Sequence, residues 1–348
     1  MIRSIIKNIH RWIERKQDNA DVYYVVEDAN WAVTEVAKDV IGYLRHINAK
    51  IVDSSRFVDK NAYIHFGSLN VFYDDKRIKN RKGKGVIVTC FHIVDNDPRK
   101  NELKNKDKYV EKWHTSCMIT KRKLVSLGIP EEKISIIPIG IDSRNYAPCT
   151  EQEKRIRRQQ LSIEKDAIVL GYFQKDGNGW GEGNSPKLIK GPDVFCNVVE
   201  RLAQKYKIHV ILSGPARGYV KGRLAEAGVP FSHFVFDEAK QVADLYKIID
   251  LYMVTSREEG GPRAILESMA SGIPIISTRV GQAPDIIQNG ENGILVDIED
   301  EKALESAFDS IVNSKELRKK LIENGFETVK KYDSEKIAAL YENLLYHK

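Results

Sequence analysis

Two carboxylates, Glu259 and Glu267, stand eight residues apart in the run Arg257-Glu258-Glu259-Gly260-Gly261-Pro262-Arg263-Ala264-Ile265-Leu266-Glu267-Ser268-Met269-Ala270-Ser271-Gly272-Ile273-Pro274. An apolar stretch, 251–255, precedes the run and reads as a strand. Pro262 suits a first helical position, Gly272 a C-terminal cap, and Pro274 stops continuation. The two acids therefore flank a helix N-terminus, where unbonded N–H groups and the helix dipole favour an anion. Gly260 and Gly261 permit close approach of a ligand to the backbone. Carboxylates that accept hydroxyl protons beside an anion seat suit a ligand carrying hydroxyls and phosphate, such as a nucleotide sugar. An ordinary strand–helix turn with acids near a favourable dipole is the plainer reading of the same residues.

Three further loops carry candidate chemistry. The stretch 174–191 contains glycines at alternate positions, matching neither a dinucleotide fingerprint nor a P-loop. It reads as a flexible flap in which Lys190, with Lys175, meets phosphate charge; a mobile surface loop with solvated lysines is the alternative. Gly214-Pro215-Ala216-Arg217-Gly218 offers Arg217 to a phosphate or a base, or is a turn with an exposed arginine. Cys90-Phe91-His92-Ile93-Val94-Asp95-Asn96-Asp97 offers His92, either facing a cleft or structural. Its Asp95-Asn96-Asp97 resembles an acidic metal motif but lacks other ligands, so no metal is expected.

The elements that position these loops alternate along the chain. Strand-like segments fall at 22–26, 49–52, 62–66, 86–90 and 134–137, with helical stretches at 31–47, 104–113 and 121–127. The second half repeats the rhythm at 168–172, 209–212, 234–236, 251–254, 274–277 and 294–296, with a helix starting at Gly191-Pro192-Asp193. Alternation of this kind predicts an α/β protein with two doubly wound, Rossmann-like domains facing a cleft, and ligands beyond the C-terminal strand ends. The polar stretch 150–166 marks the junction. The expected domains are 1–150 and 151–330; a last helix over 331–348 follows.

Composition narrows the setting. No apolar run reaches the ~18 residues that span a bilayer, and no signal peptide is recognisable, so a cytoplasmic protein is expected. Four scattered cysteines without a CxxC argue against zinc and redox chemistry. Residues 1–150 hold 27 Lys/Arg against 19 Asp/Glu, a net of +8, whereas the rest hold 28 against 30, a net of −2. The stretch 76–123 alone has 15 basic and five acidic residues without aromatic interleaving, which disfavours nucleic acid and leaves a solvated face or an anionic lipid partner. Residues 1–16 form a basic amphipathic pattern that either packs on its own domain or lies on an anionic membrane surface from the cytoplasmic side.

The motifs together resemble the retaining GT-B glycosyltransferases of the large nucleotide-sugar-dependent family with the Glu-x7-Glu motif (glycosyl transferases group 1). The resemblance rests on 259–274 throughout, extended by Gly281-Gln282-Ala283-Pro284-Asp285-Ile286-Ile287, Gly293-Ile294-Leu295-Val296, Lys190-Gly191, Thr89-Cys90-Phe91-His92 and Ile136-Ile137-Pro138-Ile139-Gly140-Ile141-Asp142. It implies that Glu259 holds the donor sugar, Glu267 the ribose, and the backbone of Gly260, Gly261, Pro262 and Arg263 the sugar and phosphate. Lys190 would stabilise the departing diphosphate and His92 would touch the transferred sugar. The last helix would cross back to the first domain. Transfer would retain the anomeric configuration, with no metal and no cofactor beyond the nucleotide-sugar co-substrate. The family's arginine ahead of its Lys-Gly is missing here; Gly171 is followed by Tyr172, and Lys175 is the candidate replacement. The expected activity is sugar transfer from a nucleotide diphosphate to an acceptor hydroxyl in cell-surface polysaccharide or glycoconjugate synthesis, on a glycan or lipid-linked acceptor. A sugar-nucleotide epimerase and a non-catalytic nucleotide-binding, membrane-associated protein are the rival readings.

Overall fold

The computed structural model describes residues 20–346 other than 28–31, 57, 60, 82–84, 95 and 180. The amphipathic segment 1–16 lies outside these residues. The chain divides into two compact units, one running up to Ile139 and resuming at Ser334, the other running from Gly140 to Asp333.

Six parallel strands make the sheet of the first unit: β1 (Val22–Val25), β2 (Ala49–Val52), β3 (Tyr63–Phe66), β4 (Val86–Thr89), β5 (Lys112–Thr115) and β6 (Ile134–Ile136), in the order β2-β1-β3-β4-β5-β6. Side chains alternate between faces. Val86 and Val88 join Phe66, Phe72, Trp113 and Leu124 on one face. Ile87 joins Val22, Tyr24, Val40, Tyr341 and Tyr346 on the other. The last two come from the segment that opens with the helix Ser334–Leu344, so the C-terminal helix packs in this unit.

Under that helix lies a fully buried polar chain. His114 Nε2 lies 2.9 Å from the Ile137 carbonyl, which can only accept, so this nitrogen carries the proton. Thr89 Oγ1 then donates to His114 Nδ1 at 2.8 Å and accepts from His65 Nε2 at 2.6 Å. Tyr346 donates to His65 Nδ1. Each member is satisfied only while both imidazoles are neutral.

The second unit holds β7 (Ile168–Tyr172), β8 (Ile208–Ser213), β9 (Phe231–Phe234), β10 (Leu251–Val254), β11 (Ile275–Thr278) and β12 (Ile294–Val296), again all parallel. Their order, β12-β11-β10-β7-β8-β9, is that of the dinucleotide-binding fold, with strand order reversing between β7 and β10. Residues 150–166, where the sequence puts the junction, lie inside this unit, which begins at Gly140. There the helix Glu151–Gln160 opens on a Thr150/Glu153 capping box. Lys154 and Arg158 fasten it to Asp250 at 2.7 and 2.8 Å. Among the described residues no helix is long and apolar enough to cross a membrane.

Candidate functional site

At the strand-order reversal of the second unit, where ligands bind in such sheets, the loops that leave β7 and β10 meet. Both carry expected site residues. Lys190 Nζ lies 2.6 Å from Glu259 Oε1, with the two side chains 18% and 12% exposed. Ser256 Oγ is 3.0 Å from the same carboxylate oxygen and 3.2 Å from Gln174 Oε1; its single proton serves one of them at a time.

Lys190 is held through its backbone. The Lys190 carbonyl accepts from the Tyr172 hydroxyl at 3.1 Å and the Gln174 amide at 3.3 Å. The Ile189 carbonyl accepts from the N–H groups of Arg257 and Glu258, and Gly191 O from Thr255 Oγ1. Gly191 has φ 64°, and a Cβ there would sit 1.9 Å from the Thr255 carbonyl oxygen. Gly191→Ala is therefore expected to cost at least about 2 kcal/mol and to displace Lys190, read as a lower urea midpoint.

Arg257, which the sequence reading passed over as part of the run, clamps the same segment. Its guanidinium is bidentate to Asp193 at 2.8 Å on both oxygens, and it reaches Leu188 O and Glu299 Oε1 at 2.6 Å each. The paired guanidinium holds the Asp193 carboxyl below its usual range. Glu267 lies in the first turn of the helix Ala264–Ala270, which opens two residues after Pro262. Glu267 Oε2 accepts from the Tyr246 hydroxyl at 2.9 Å, and Oε1 lies 3.5 Å from Arg263 Nε.

Comparison with known proteins bears on this unit first: residues 186–328 match the family described as Glycosyl transferases group 1. The chain carries a glycosyl transferases group 1 domain. Among curated proteins, the lipopolysaccharide core biosynthesis mannosyltransferase LpsB of Rhizobium meliloti (strain 1021) is 25% identical over 239 residues, 64% of each chain. The N-acetyl-alpha-D-glucosaminyl L-malate synthase of Bacillus anthracis is 35% identical over 106 residues, 30% of this chain and 28% of that one. This chain thus aligns with less than two thirds of the length of either relative. Among solved structures, Anabaena HepE in complex with UDP and glucose superposes with a TM-score of 0.76 at 15% identity, covering 94% of this chain and 99% of that one. The two-domain α/β architecture is accordingly GT-B.

Within the group 1 domain, the loop after β7 differs from the expected flap. Its ends bridge at Gly177 and Pro186, and Lys187 N donates to Asp176 O at 2.6 Å. Glu182 O and Gly183 O accept from the N–H groups of Gly218 and Tyr219. Gly183, at φ 75°, lets the loop lie directly on the Ala216 backbone: a Cβ there would sit 2.3 Å from it. Gly177 and Gly183 thus serve close packing, whereas a Cβ at Gly179 or Gly181 would meet open space.

Arg217 is corrected by its burial. At 1% exposure it gives its donors to the Ser213 and Tyr172 carbonyls at 2.7 and 2.8 Å and pairs with buried Asp176 at 2.9 Å. It anchors the β7 loop to β8. Burial pushes the Asp176 carboxyl up to about 6, although Arg217 opposes the shift. Lys175 stands half-buried where the loop begins, and Lys187, which the sequence reading missed, is half-buried near its end. Burial, then the charges of Lys190 and Lys175, lower the Lys187 ammonium below its usual range, with Glu259 acting in the other direction. Three lysines thus share one neighbourhood beside one carboxylate. The signal for Lys187 was its place three residues ahead of Lys190 in Ser185-Pro186-Lys187-Leu188-Ile189-Lys190.

His92 belongs to the other unit, exposed in the loop that follows β4. Asp95 lies outside the described residues. Asp97 caps the turn Pro98–Glu102 and holds Arg99 at 2.7 Å, which keeps its carboxyl low. Among the described residues no group of three His, Cys, Asp or Glu is arranged to hold a metal ion.

Proposed function

We propose that this protein is a retaining glycosyltransferase that moves a sugar from a nucleoside-diphosphate donor to an acceptor hydroxyl. The observation that carries the reading is the Lys190–Glu259 pair, 2.6 Å apart at the strand-order reversal of a group 1 domain. A cation and a carboxylate held together there satisfy each other until a ligand offers phosphate to one and hydroxyl to the other. Glu259 then grips the sugar, Glu267 the ribose, and Lys190 the diphosphate, with the backbone from Gly260 to Arg263 lining the seat. As the glycosidic bond breaks, charge grows on the leaving phosphate, and a fixed ammonium stabilises it without reorganising. The sugar becomes oxocarbenium-like and a phosphate oxygen takes the acceptor proton, so neither a protein nucleophile nor a metal is needed.

HepE, which binds UDP and glucose, supports a UDP-sugar donor, and LpsB supports a role in cell-surface glycan or glycoconjugate synthesis. The basic first half supports a lipid-linked acceptor at the cytoplasmic face of a membrane.

The test is nucleotide release from UDP-, GDP- and ADP-sugars with and without membrane-lipid and oligosaccharide acceptors. One donor is expected to give release that rises with acceptor. Glu259→Ala should lower that rate at least about tenfold, because it removes a charge-assisted hydrogen bond of roughly 1.5–3 kcal/mol. Acceptor-independent conversion of the donor into another nucleotide sugar would instead identify an epimerase. No turnover of any donor would overturn both enzymatic readings.

A further inference from the structure

Glu267 is held from below by a group that no motif announced. Tyr246 ends the short helix Ala243–Tyr246 and is fully buried. Its hydroxyl donates to Glu267 Oε2 at 2.9 Å. Aromatic rings enclose it: Phe173 edge-on at 5.1 Å, Tyr252 stacked at 5.7 Å and Tyr146 edge-on at 5.9 Å between centroids. Tyr252 is itself fixed, its hydroxyl accepting from the Phe173 N–H at 2.9 Å. The Tyr246 ring therefore has one place to be, and its hydroxyl one partner. Burial, reinforced by the Glu267 charge, raises the phenol well above its usual range, so it remains a donor at any working pH.

The carboxylate above it is only 15% exposed. One of its oxygens is spoken for from the buried side. The other faces Arg263 Nε at 3.5 Å, beyond a good hydrogen bond. A carboxylate locked in this way presents its remaining lone pairs in a fixed direction. A ligand hydroxyl that meets them is strongly preferred over a ligand that lacks it, because a desolvated acceptor left unmet is costly. Without the phenol, Glu267 is free to turn towards Arg263 and the direction is lost.

We propose that Tyr246 is a positioning residue whose hydroxyl orients Glu267, and that this arrangement makes the domain select ribonucleotides over their deoxy counterparts. The inference rests on the nucleoside-diphosphate donor argued above.

The experiment uses the full chain. UDP, GDP, ADP and CDP are ranked by thermal shift, and the tightest is compared by calorimetry with its 2′-deoxy and 3′-deoxy forms. The wild type should prefer the ribose form by about tenfold or more over at least one of them. Tyr246→Phe, which keeps the ring, should reduce that preference to about threefold or less, raise donor KM, and leave kcat within about twofold. In a Glu267→Gln background the same change should alter the preference by less than about twofold. That second comparison stands if the single variant folds poorly. A purely structural role would lower the melting temperature and leave the ribose-to-deoxyribose ratio intact. An unchanged ratio in Tyr246→Phe overturns the inference alone. Absence of any shift with all four diphosphates overturns the donor reading and this inference with it.

Discussion

Lys190→Ala is expected to lower kcat by about a hundredfold or more while changing donor KM by less than about threefold. The asymmetry follows from when the charge appears. In the ground state the diphosphate's charge is spread and partly hydrated. In the transition state another full charge develops on the oxygen that is leaving, next to the ammonium. An interaction that strengthens only then lowers the barrier and does not tighten binding. One preorganised donor aimed at developing charge is worth about 2.7–4 kcal/mol, which sets the scale. The setting suits the upper part of that range: the ammonium is mostly buried, and carbonyl contacts at Ile189, Lys190 and Gly191 fix its backbone. Lys187 and Lys175 remain as partial substitutes and define the residual rate. Steady-state kinetics on the folded variant decide the matter. A rise in KM with kcat unchanged would mean that Lys190 serves ground-state binding only.

The parts of the molecule that were legible in the sequence share a physical reason. Strands buried on both faces are uninterrupted apolar runs, so Ile168–Tyr172 and Leu251–Val254 stand out from their neighbours. The Glu259–Glu267 run carries its own punctuation in glycine and proline. The strand Lys112–Thr115 was hidden because it begins with Lys and contains His114. A helical reading of 104–113 covered its start, whereas a short helix there ends at Lys106 and a 3-10 turn follows. The helix Glu151–Gln160 was hidden for the opposite reason: it buries no residue, and ion pairs with Asp250 stand in for an apolar stripe. Within the candidate site, Glu259 and Lys190 are polar residues next to glycines and are easy to single out. Those that orient them are not. Tyr246, Arg257 and Arg217 act across sequence separations of 21, 64 and 45 residues, and nothing local distinguishes a tyrosine that holds a carboxylate from one that fills a core. Arg217 shows the cost: its type suggests phosphate, and only its burial shows that it serves the β7 loop.

The buried chain from Tyr346 to Ile137 makes the first unit acid-sensitive in a defined window. Burial pushes the His114 imidazole down to about 4, opposed by its hydrogen bond to the Ile137 carbonyl. Burial, and then the proximity of His114, places His65 well below its usual range. The groups facing the pair are Thr89, Tyr24, Tyr341 and Tyr346, all uncharged, so no carboxylate offsets a new positive charge. An added proton on His114 Nδ1 also turns an acceptor into a donor opposite the Thr89 hydroxyl, and the chain loses its direction.

Both imidazoles titrate normally once unfolded, near 6.5. Below that pH the unfolded state binds more protons than the folded one, and stability must fall as pH falls. Above about 6.5 the contribution is complete and flat. Between about 6.5 and about 4, His114 alone removes about 3 kcal/mol, and His65 adds to it. The C-terminal segment, which lends Tyr341 from its helix and Tyr346 beyond it, should loosen with it. Urea midpoints measured from pH 7.5 to 4.5 should decline most steeply below 6.5, and the decline should be shallower in His114→Asn, whatever that substitution costs in overall stability. Imidazole resonances of His65 and His114 should show no titration above about pH 5.5 in the folded protein. Resonances that titrate near 6.5, or a wild-type midpoint that stays level down to pH 5, would mean that the two rings carry protons without disturbing the helix above them.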